Sequence, residues 1–294
     1  VPAPPAHELR RLSFSALALY DRCSYRWYAE RVAGMRERRP AVAPGSAAGL
    51  LATELGDAVH VALEHVPLRA PAAPEAGELA AAVLARYPAA AAEELARIQA
   101  LVEAYTGSAL AARIAALPDP QPERPFAFVH DGVLLRGRLD VLSVDGPRAL
   151  VLDYKTNALG DTTPAAATEE GYRLQRLVYA LACLRRDGVE EAEVVYSFLE
   201  RPAEPVSAVF TRADVPALEA ELSEAIARVR DGGFRPQPSP FACAGCPALD
   251  VVCAGPKLLA APGGAVAGDP GRDDGDPGPE WGGEDDGDPG PDGP

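Results

Sequence analysis

Asp140 stands thirteen residues before Asp153, which opens the triplet Asp153-Tyr154-Lys155 at the end of an apolar run. Leu150-Val151-Leu152 reads as a buried strand, and Arg136-Gly137-Arg138-Leu139-Asp140-Val141-Leu142 reads as another beside it. Alternation along a strand sets Asp153 and Lys155 on one face and turns Tyr154 away. Two carboxylates and an ammonium delivered by neighbouring strands make a compact metal-plus-lysine site, suited to hydrolysing a phosphodiester. Mg²⁺ or Mn²⁺ at roughly 2.1 Å from Asp140 and Asp153, with the Tyr154 carbonyl as a further ligand, would stabilise charge on the phosphoryl oxygens. Lys155 would then sit beside the attacking water and the scissile phosphate.

Composition sharpens the lysine. Of 28 basic residues only Lys155 and Lys257 are lysines, Asn157 is the only asparagine, and alanine, arginine, glycine and proline abound. A GC-rich coding bias produces this pattern and drives surface lysines to arginine. A lysine kept next to an aspartate in such a chain points to chemistry, although a strand-end ion pair would use the same two residues.

The elements that must position these groups follow from periodicity and punctuation. Ser13 or Ser15 can cap a helix running to Gly34, a loop covers roughly 40–50, and a helix spans 52–65. Alanine-rich helices near 76–86 and 89–116 form an accessory helical insert. Strands near 125–130, 133–144 and 149–155 follow, the first two joined by Asp131-Gly132, a hairpin signal. A helix over 168–186 carries Leu174, Leu177, Val178 and Leu181 at helical spacing, followed by strands near 192–199 and 205–211 and a helix near 213–230. This order predicts an α/β (α+β) fold with a central mixed sheet flanked by helices.

Gly137-x-x-Asp140, Asp153-Tyr154-Lys155-Thr156 and Gln175-x-x-x-Tyr179, in that order, resemble the RecB-type nuclease branch of the PD-(D/E)xK superfamily, whose core is restriction-endonuclease-like. Leu55-Gly56-x-x-x-His60 and Glu123-x-Pro125-Phe126 extend the resemblance upstream, so that it covers Leu12 to Pro256. The resemblance implies that His60 joins Asp140, Asp153 and Tyr154 as a metal ligand. It places Gln175 and Tyr179, one helical turn apart on one face, at the active site or against DNA. His60 as an ordinary helix histidine and Tyr179 as core are the plainer alternatives, and His65 reads as structural.

Five cysteines remain. Cys243-Ala-Gly-Cys246 with Cys253 has ligand spacing in a Pro/Gly-flanked loop, which leaves zinc and iron–sulfur open and lacks a fourth ligand. One cysteine early and three late is also the arrangement of iron–sulfur nucleases resembling AddB and the CRISPR-adaptation nucleases. The resemblance therefore implies a [4Fe–4S] cluster on Cys23, Cys243, Cys246 and Cys253 that staples the N-terminal helix to the 243–256 loop. Cys183 lies on the apolar face of the Gln175 helix and reads as packing.

Net charge is −15, unevenly placed. From Gly263 the chain is Gly, Pro, Asp and Glu with little else; this tail (263–294) carries −9 and is expected to be disordered, leaving −6 for a nuclease domain over 1–262. Arg10, Arg11, Arg22, Arg26, Arg31, Arg36, Arg38 and Arg39 interleave with Tyr20, Tyr25, Trp27 and Tyr28. That mixture suits phosphates and unstacked bases, and suits a solvated helix face equally well. No apolar run long enough for a membrane span and no leader is evident, so a cytoplasmic bacterial protein is expected. The first residue is Val, which points to a processed chain or a domain of a longer one.

The expected activity is metal-dependent DNA cleavage at ends or single strands in recombination and double-strand-break repair. The chain has no Gly-x-x-x-x-Gly-Lys-Ser/Thr phosphate loop, so the resemblance implies a helicase partner or a fused helicase. A stand-alone CRISPR-adaptation-type nuclease and a non-hydrolytic DNA-binding module of the same fold are the alternatives.

Overall fold

A computed structural model describes residues 9–36, 49–243 and 245–257. Arg38, Arg39, most of the 40–50 loop and the acidic tail lie outside the described residues. Within them the order is β1 (Arg11–Ser13), α1 (Phe14–Arg22), α2 (Ser24–Trp27), a π-helical turn (Tyr28–Val32), α3 (Ala52–Glu64), α4 (Ala76–Arg86), α5 (Ala92–Thr106) and α6 (Ala109–Ala115). Then come β2 (Gln121–His130), β3 (Val133–Asp145), β4 (Arg148–Lys155), α7 (Pro164–Gly171), α8 (Arg173–Leu184), β5 (Glu191–Phe198), β6 (Val206–Thr211), α9 (Val215–Asp231) and α10 (Pro240–Cys243).

The six strands form one mixed sheet. β3 pairs antiparallel with β2 along one edge; its other edge pairs first with β1, in parallel, and further along with β4, antiparallel. β4 and β5 run parallel through the α7–α8 crossover, and β6 closes the sheet antiparallel to β5. Alternation sends Val151, Val194, Tyr196 and Phe198 to a core shared with α1, α8 and α9. Leu150, Leu152, Tyr154 and Val195 face a second core built with α3 to α6. The alanine-rich helices are thus a complete layer of the fold, burying Val83, Ile98, Val102 and Tyr105 on the sheet. No helix among the described residues is long and apolar enough to cross a membrane.

The structure departs from the sequence expectation where local signals compete with tertiary contacts. The expected helix from Ser13 to Gly34 is broken at Cys23, whose extended backbone (φ −162°) ends α1 and opens α2. Helix 89–116 divides at Gly107, where the Ser108 hydroxyl caps α6 by accepting from Ala111 N–H. Helix 168–186 divides at Tyr172, and its first part starts earlier, at Pro164 behind a Thr163 cap. β2 begins at Gln121 despite Pro122 and Pro125; among the described residues its outer edge bonds to no other strand, so a missing N–H on that side costs no ladder bond.

Candidate active site

β3 and β4 pair only as far as Val141 opposite Leu152, and beyond that point the strands part. The fork lies between Asp140 and Asp153-Tyr154-Lys155. Where the ladder ends, the Asp140 carboxylate takes over the role of a strand carbonyl, accepting from Tyr154 N–H at 2.7 Å. Side-chain alternation slips here as well: Leu135 and Leu139 belong to one core, Val141 to the other, and Leu142 returns to the first. Across the ladder Pro122 pairs with Val141 and Arg124 with Leu139, which sets Glu123, at φ +52°, opposite Asp140. The kink is shared by both strands and turns two acids toward one point.

His60 completes this group from α3. Ligand atoms of His60, Glu123 and Asp140 lie within 4.8 Å of one another, with His60 Nδ1 3.4 Å from Asp140 Oδ1. Gly56 explains the approach: a Cβ there would stand 3.1 Å from Thr156 Oγ1, so the absent side chain lets α3 come down on the end of β4 one turn before His60. An open groove of about 580 Å³ leads to the three residues, with Arg86 and Arg138 on its rim.

Asp153 lies outside that group of three and is held from the other side. Its Oδ1 accepts from the Gln175 amide (2.8 Å) and from the Tyr179 hydroxyl (2.9 Å), and its Oδ2 meets the Lys155 ammonium. Gln175 Oε1 accepts from Lys155 Nζ at 2.7 Å, while Gln175 Nε2 also donates to the Tyr179 hydroxyl (2.7 Å). One amide therefore orients the lysine, the aspartate and the tyrosine together. The Lys155 ammonium rests on the faces of Tyr172 (4.1 Å) and Tyr196 (5.2 Å), a partial aromatic cage. Gly137 belongs to the same construction. A Cβ there would come within 2.7 Å of the Phe126 ring, which lies across the glycine and meets Tyr179 edge-on.

The electrostatics of the group fit a divalent cation. Burial pushes the Asp153 carboxyl up, and Asp140 adds to the rise against the pull of Lys155. Burial and Asp140 likewise raise Glu123 despite its 3.1 Å pair with Arg138. Asp153 Oδ2 is buried and accepts no hydrogen bond beyond its contact with Lys155. An excess of acid around one point is what a bound cation relieves.

His60 answers the same field. Burial alone would lower it, but the Asp140 and Asp153 carboxylates outweigh burial and hold it at about 9. Its folded value lies above its ordinary 6.5, so its stabilising charge is fully present below pH 6.5 and is lost as pH rises through about 9. A divalent ion needs the neutral ring. In chelator, the melting temperature should therefore fall across this window, and less so in His60→Gln. Apparent Mn²⁺ affinity, read from the melting shift with added metal, should rise across it. A flat profile in both conditions would separate His60 from the acids.

Of the residues picked from sequence, His60, Asp140, Asp153, Lys155, Gln175 and Tyr179 come together, and Tyr154 supplies its N–H while its ring packs on Tyr105 in the opposite layer. In the sequence Glu123 stands out only as part of a strand-opening motif; its place opposite Asp140 comes from the hairpin register. Cys23, Cys243, Cys246 and Cys253 lie elsewhere, where α2 meets the C-terminal loop. All four are free thiols, and among the described residues no three of their sulfurs lie within 4.8 Å. Cys183 is buried in the core, as its helical position suggested.

Comparison with known proteins bears on the family. The crystal structure of a candidate exonuclease from Eubacterium rectale matches 83% of this chain and 90% of its own at 12% identity, with a TM-score of 0.45. That of a protein named SSO0001 matches 82% and 96% at 14% identity, with a TM-score of 0.33. No curated protein sequence matches. The sequence profile of the PD-(D/E)XK nuclease superfamily matches residues 11–253, a span that runs from β1 through the last of the loop cysteines and takes in both sides of the strand fork. The chain belongs to the PD-(D/E)XK nuclease superfamily.

Proposed function

We propose that this chain is a RecB-type, Mg²⁺- or Mn²⁺-dependent deoxyribonuclease that cuts DNA at ends or in single strands and works with a helicase in recombination and double-strand-break repair. The observation that carries the reading is the clasp on Lys155: Asp153, Gln175 and two tyrosine faces hold one ammonium beside the His60–Glu123–Asp140 group. An ion pair that served stability alone would need neither the cage nor the neighbouring excess of acid.

His60, Glu123, Asp140 and Asp153, with the Tyr154 carbonyl, would hold the ion, which supplies positive charge to the phosphoryl oxygens and acidifies water. Lys155 donates to the phosphate and to the attacking water, and Gln175 and Tyr179 fix where it does so. Arg86 and Arg138, both well exposed on the groove rim, contact flanking phosphates.

The cysteines support a [4Fe–4S] staple in the same reading. Cys23 Sγ accepts from Arg26 N–H and Gln237 N–H, and Cys253 Sγ from Gly255 N–H, each at 3.4 Å. Burial pushes the Cys246 thiol up against the opposing effect of nearby N–H groups and Arg26, and Cys23 is near enough to add to the rise. The Arg26 guanidinium bridges the two segments by donating to the Ala242 and Gly245 carbonyls. Tetrahedral zinc at 2.3 Å would draw four sulfurs to about 3.8 Å from one another. Among the described residues no three of the four sulfurs lie within 4.8 Å of one another, a spread that a larger cluster spans more readily than a single ion.

End-labelled single- and double-stranded DNA, incubated with and without Mg²⁺, tests the activity. Cleavage that requires the metal and starts from ends or single strands is expected. Binding without cleavage in Mg²⁺ and in Mn²⁺ would favour the non-hydrolytic alternative.

A further inference from the structure

A second cavity, of about 340 Å³, opens on the α7–α8 side of the sheet and shares no lining residue with the acidic groove. Asn157, Ala158 and Thr162 of the loop after β4 line it, together with Gly171, Tyr172 and Ser239. This loop is braced from the turn after β5. Glu200 accepts from Leu159 N–H at 3.2 Å, and Arg201 donates to the Gly160 carbonyl at 2.7 Å. These bonds fix the cavity's wall.

Its chemistry is an aromatic face beside an oriented amide. The Tyr172 hydroxyl donates to Asn157 Oδ1 at 2.6 Å, which fixes the amide and leaves the Asn157 NH₂ with no partner among the described residues. A side-chain amide presented edge-on pairs well with the donor and acceptor edge of a nucleobase. The Tyr172 ring also touches Lys155 Nζ, 4.1 Å from its centroid. One ring therefore separates the ammonium assigned to the phosphate from this cavity, a distance shorter than a nucleotide.

We propose that the cavity receives the base of the nucleotide next to the scissile phosphate, with Tyr172 as its stacking wall and the Asn157 amide on its edge. This rests on the nuclease reading above and names its substrate more closely. A base paired in a duplex has its edge and both faces occupied, so only an unpaired base can meet Tyr172 and Asn157 together. The substrate at the moment of cutting is single-stranded DNA.

Oligonucleotides carrying 2-aminopurine or an abasic residue at each of the two positions flanking the cut bond test this. Binding is read in chelator and cleavage in Mg²⁺. At one of the positions 2-aminopurine fluorescence should be quenched, and the abasic residue there should raise KM about tenfold. Gly171 offers a selective probe, since a Cβ there meets nothing within 4 Å and its φ is not positive. Gly171→Leu should slow cleavage of the intact strand about tenfold, the loss expected of one base stack, and leave the abasic strand unaffected. If it slows both equally, or if neither position shows quenching or an abasic penalty while cleavage proceeds, the cavity holds no base. Quenching without any cleavage would reject the nuclease reading and keep the cavity assignment. Should Gly171→Leu melt early, Asn157→Ala serves instead: quenching persists while discrimination among the four bases at that position is lost. Unchanged discrimination would remove Asn157 from the proposal.

Discussion

Lys155→Ala should lower the rate of phosphodiester cleavage about a thousandfold while DNA affinity changes less than about twofold. The rate effect follows from where the charge sits. Lys155 is buried, and Asp153, Gln175 and the rings of Tyr172 and Tyr196 fix its ammonium. A charge held in place before the substrate arrives, in a site with little water, stabilises developing charge far better than a mobile one at the surface. Affinity, in contrast, comes from phosphate contacts spread along a groove, where one buried lysine adds little to exposed arginines such as Arg86 and Arg138. Lys155→Arg should not rescue, because a longer, planar guanidinium cannot place its donors where the compact ammonium meets both Asp153 and Gln175. The substitution leaves Asp153 buried and unpaired, so the folded fraction must be measured alongside, by thermal melting and by DNA affinity. Equal loss of binding and cleavage would show that Lys155 props up the site rather than acting in it.

How much of this site is legible in the sequence depends on the distance over which each constraint acts. Asp153 and Lys155 are legible because alternation along one strand fixes their common face. Gln175 and Tyr179 are legible for the corresponding reason on a helix. Asp131-Gly132 announces the β2–β3 hairpin, and counting outward from it equally in both directions reaches Glu123 and Asp140 together. That step was available from the turn alone, yet Pro122 and Pro125 argue against a strand reaching so far upstream. An unpaired outer edge removes that objection, and which edge is free is a tertiary fact. His60 carries no local signal beyond Gly56, whose reason is the approach of Thr156 from a strand about a hundred residues away. The break at Cys23 was illegible as well, since Tyr20, Ser24 and Arg26 are positioned by partners between Arg228 and Gly245. The alanine-rich helices looked accessory because alanine carries a weak amphipathic signal. Only the sheet opposite them shows which face is buried.

Cys243→Ala should lower the melting temperature by roughly 10–20 °C and leave specific activity per folded molecule nearly unchanged. The argument is one of loop closure. A cluster on Cys23 and the 243–253 cysteines would tie together segments more than two hundred residues apart. In the chain-entropy description a link across a loop that long is worth up to about 5 kcal/mol. Without it the α2–loop contact rests on the stack of Trp27 on Phe234 and on hydrogen bonds such as Ser24 N–H to Gln237, Tyr25 to the Val252 carbonyl, and Arg26 to Ala242 and Gly245. Each hydrogen bond contributes about 1 kcal/mol net, so the junction should open first on heating. The Lys155 clasp is drawn from β4, β5, and α8 with its cap residue Tyr172, none of which contributes a cluster cysteine, so the chemistry should survive wherever the fold does. Cys183→Ala separates the cluster from ordinary packing, since Cys183 is buried within α8 and removing its sulfur costs core contacts without touching iron. Melting curves, iron content and activity at low temperature should be measured on protein purified without oxygen. About four irons per chain are expected in the parent and in Cys183→Ala, with loss of iron in Cys243→Ala. Stoichiometric zinc without iron in the parent would replace the cluster with a single ion. The sulfurs would then have to close up from their present spacing, and the loop from Cys243 to Cys253 would have to rearrange around the metal.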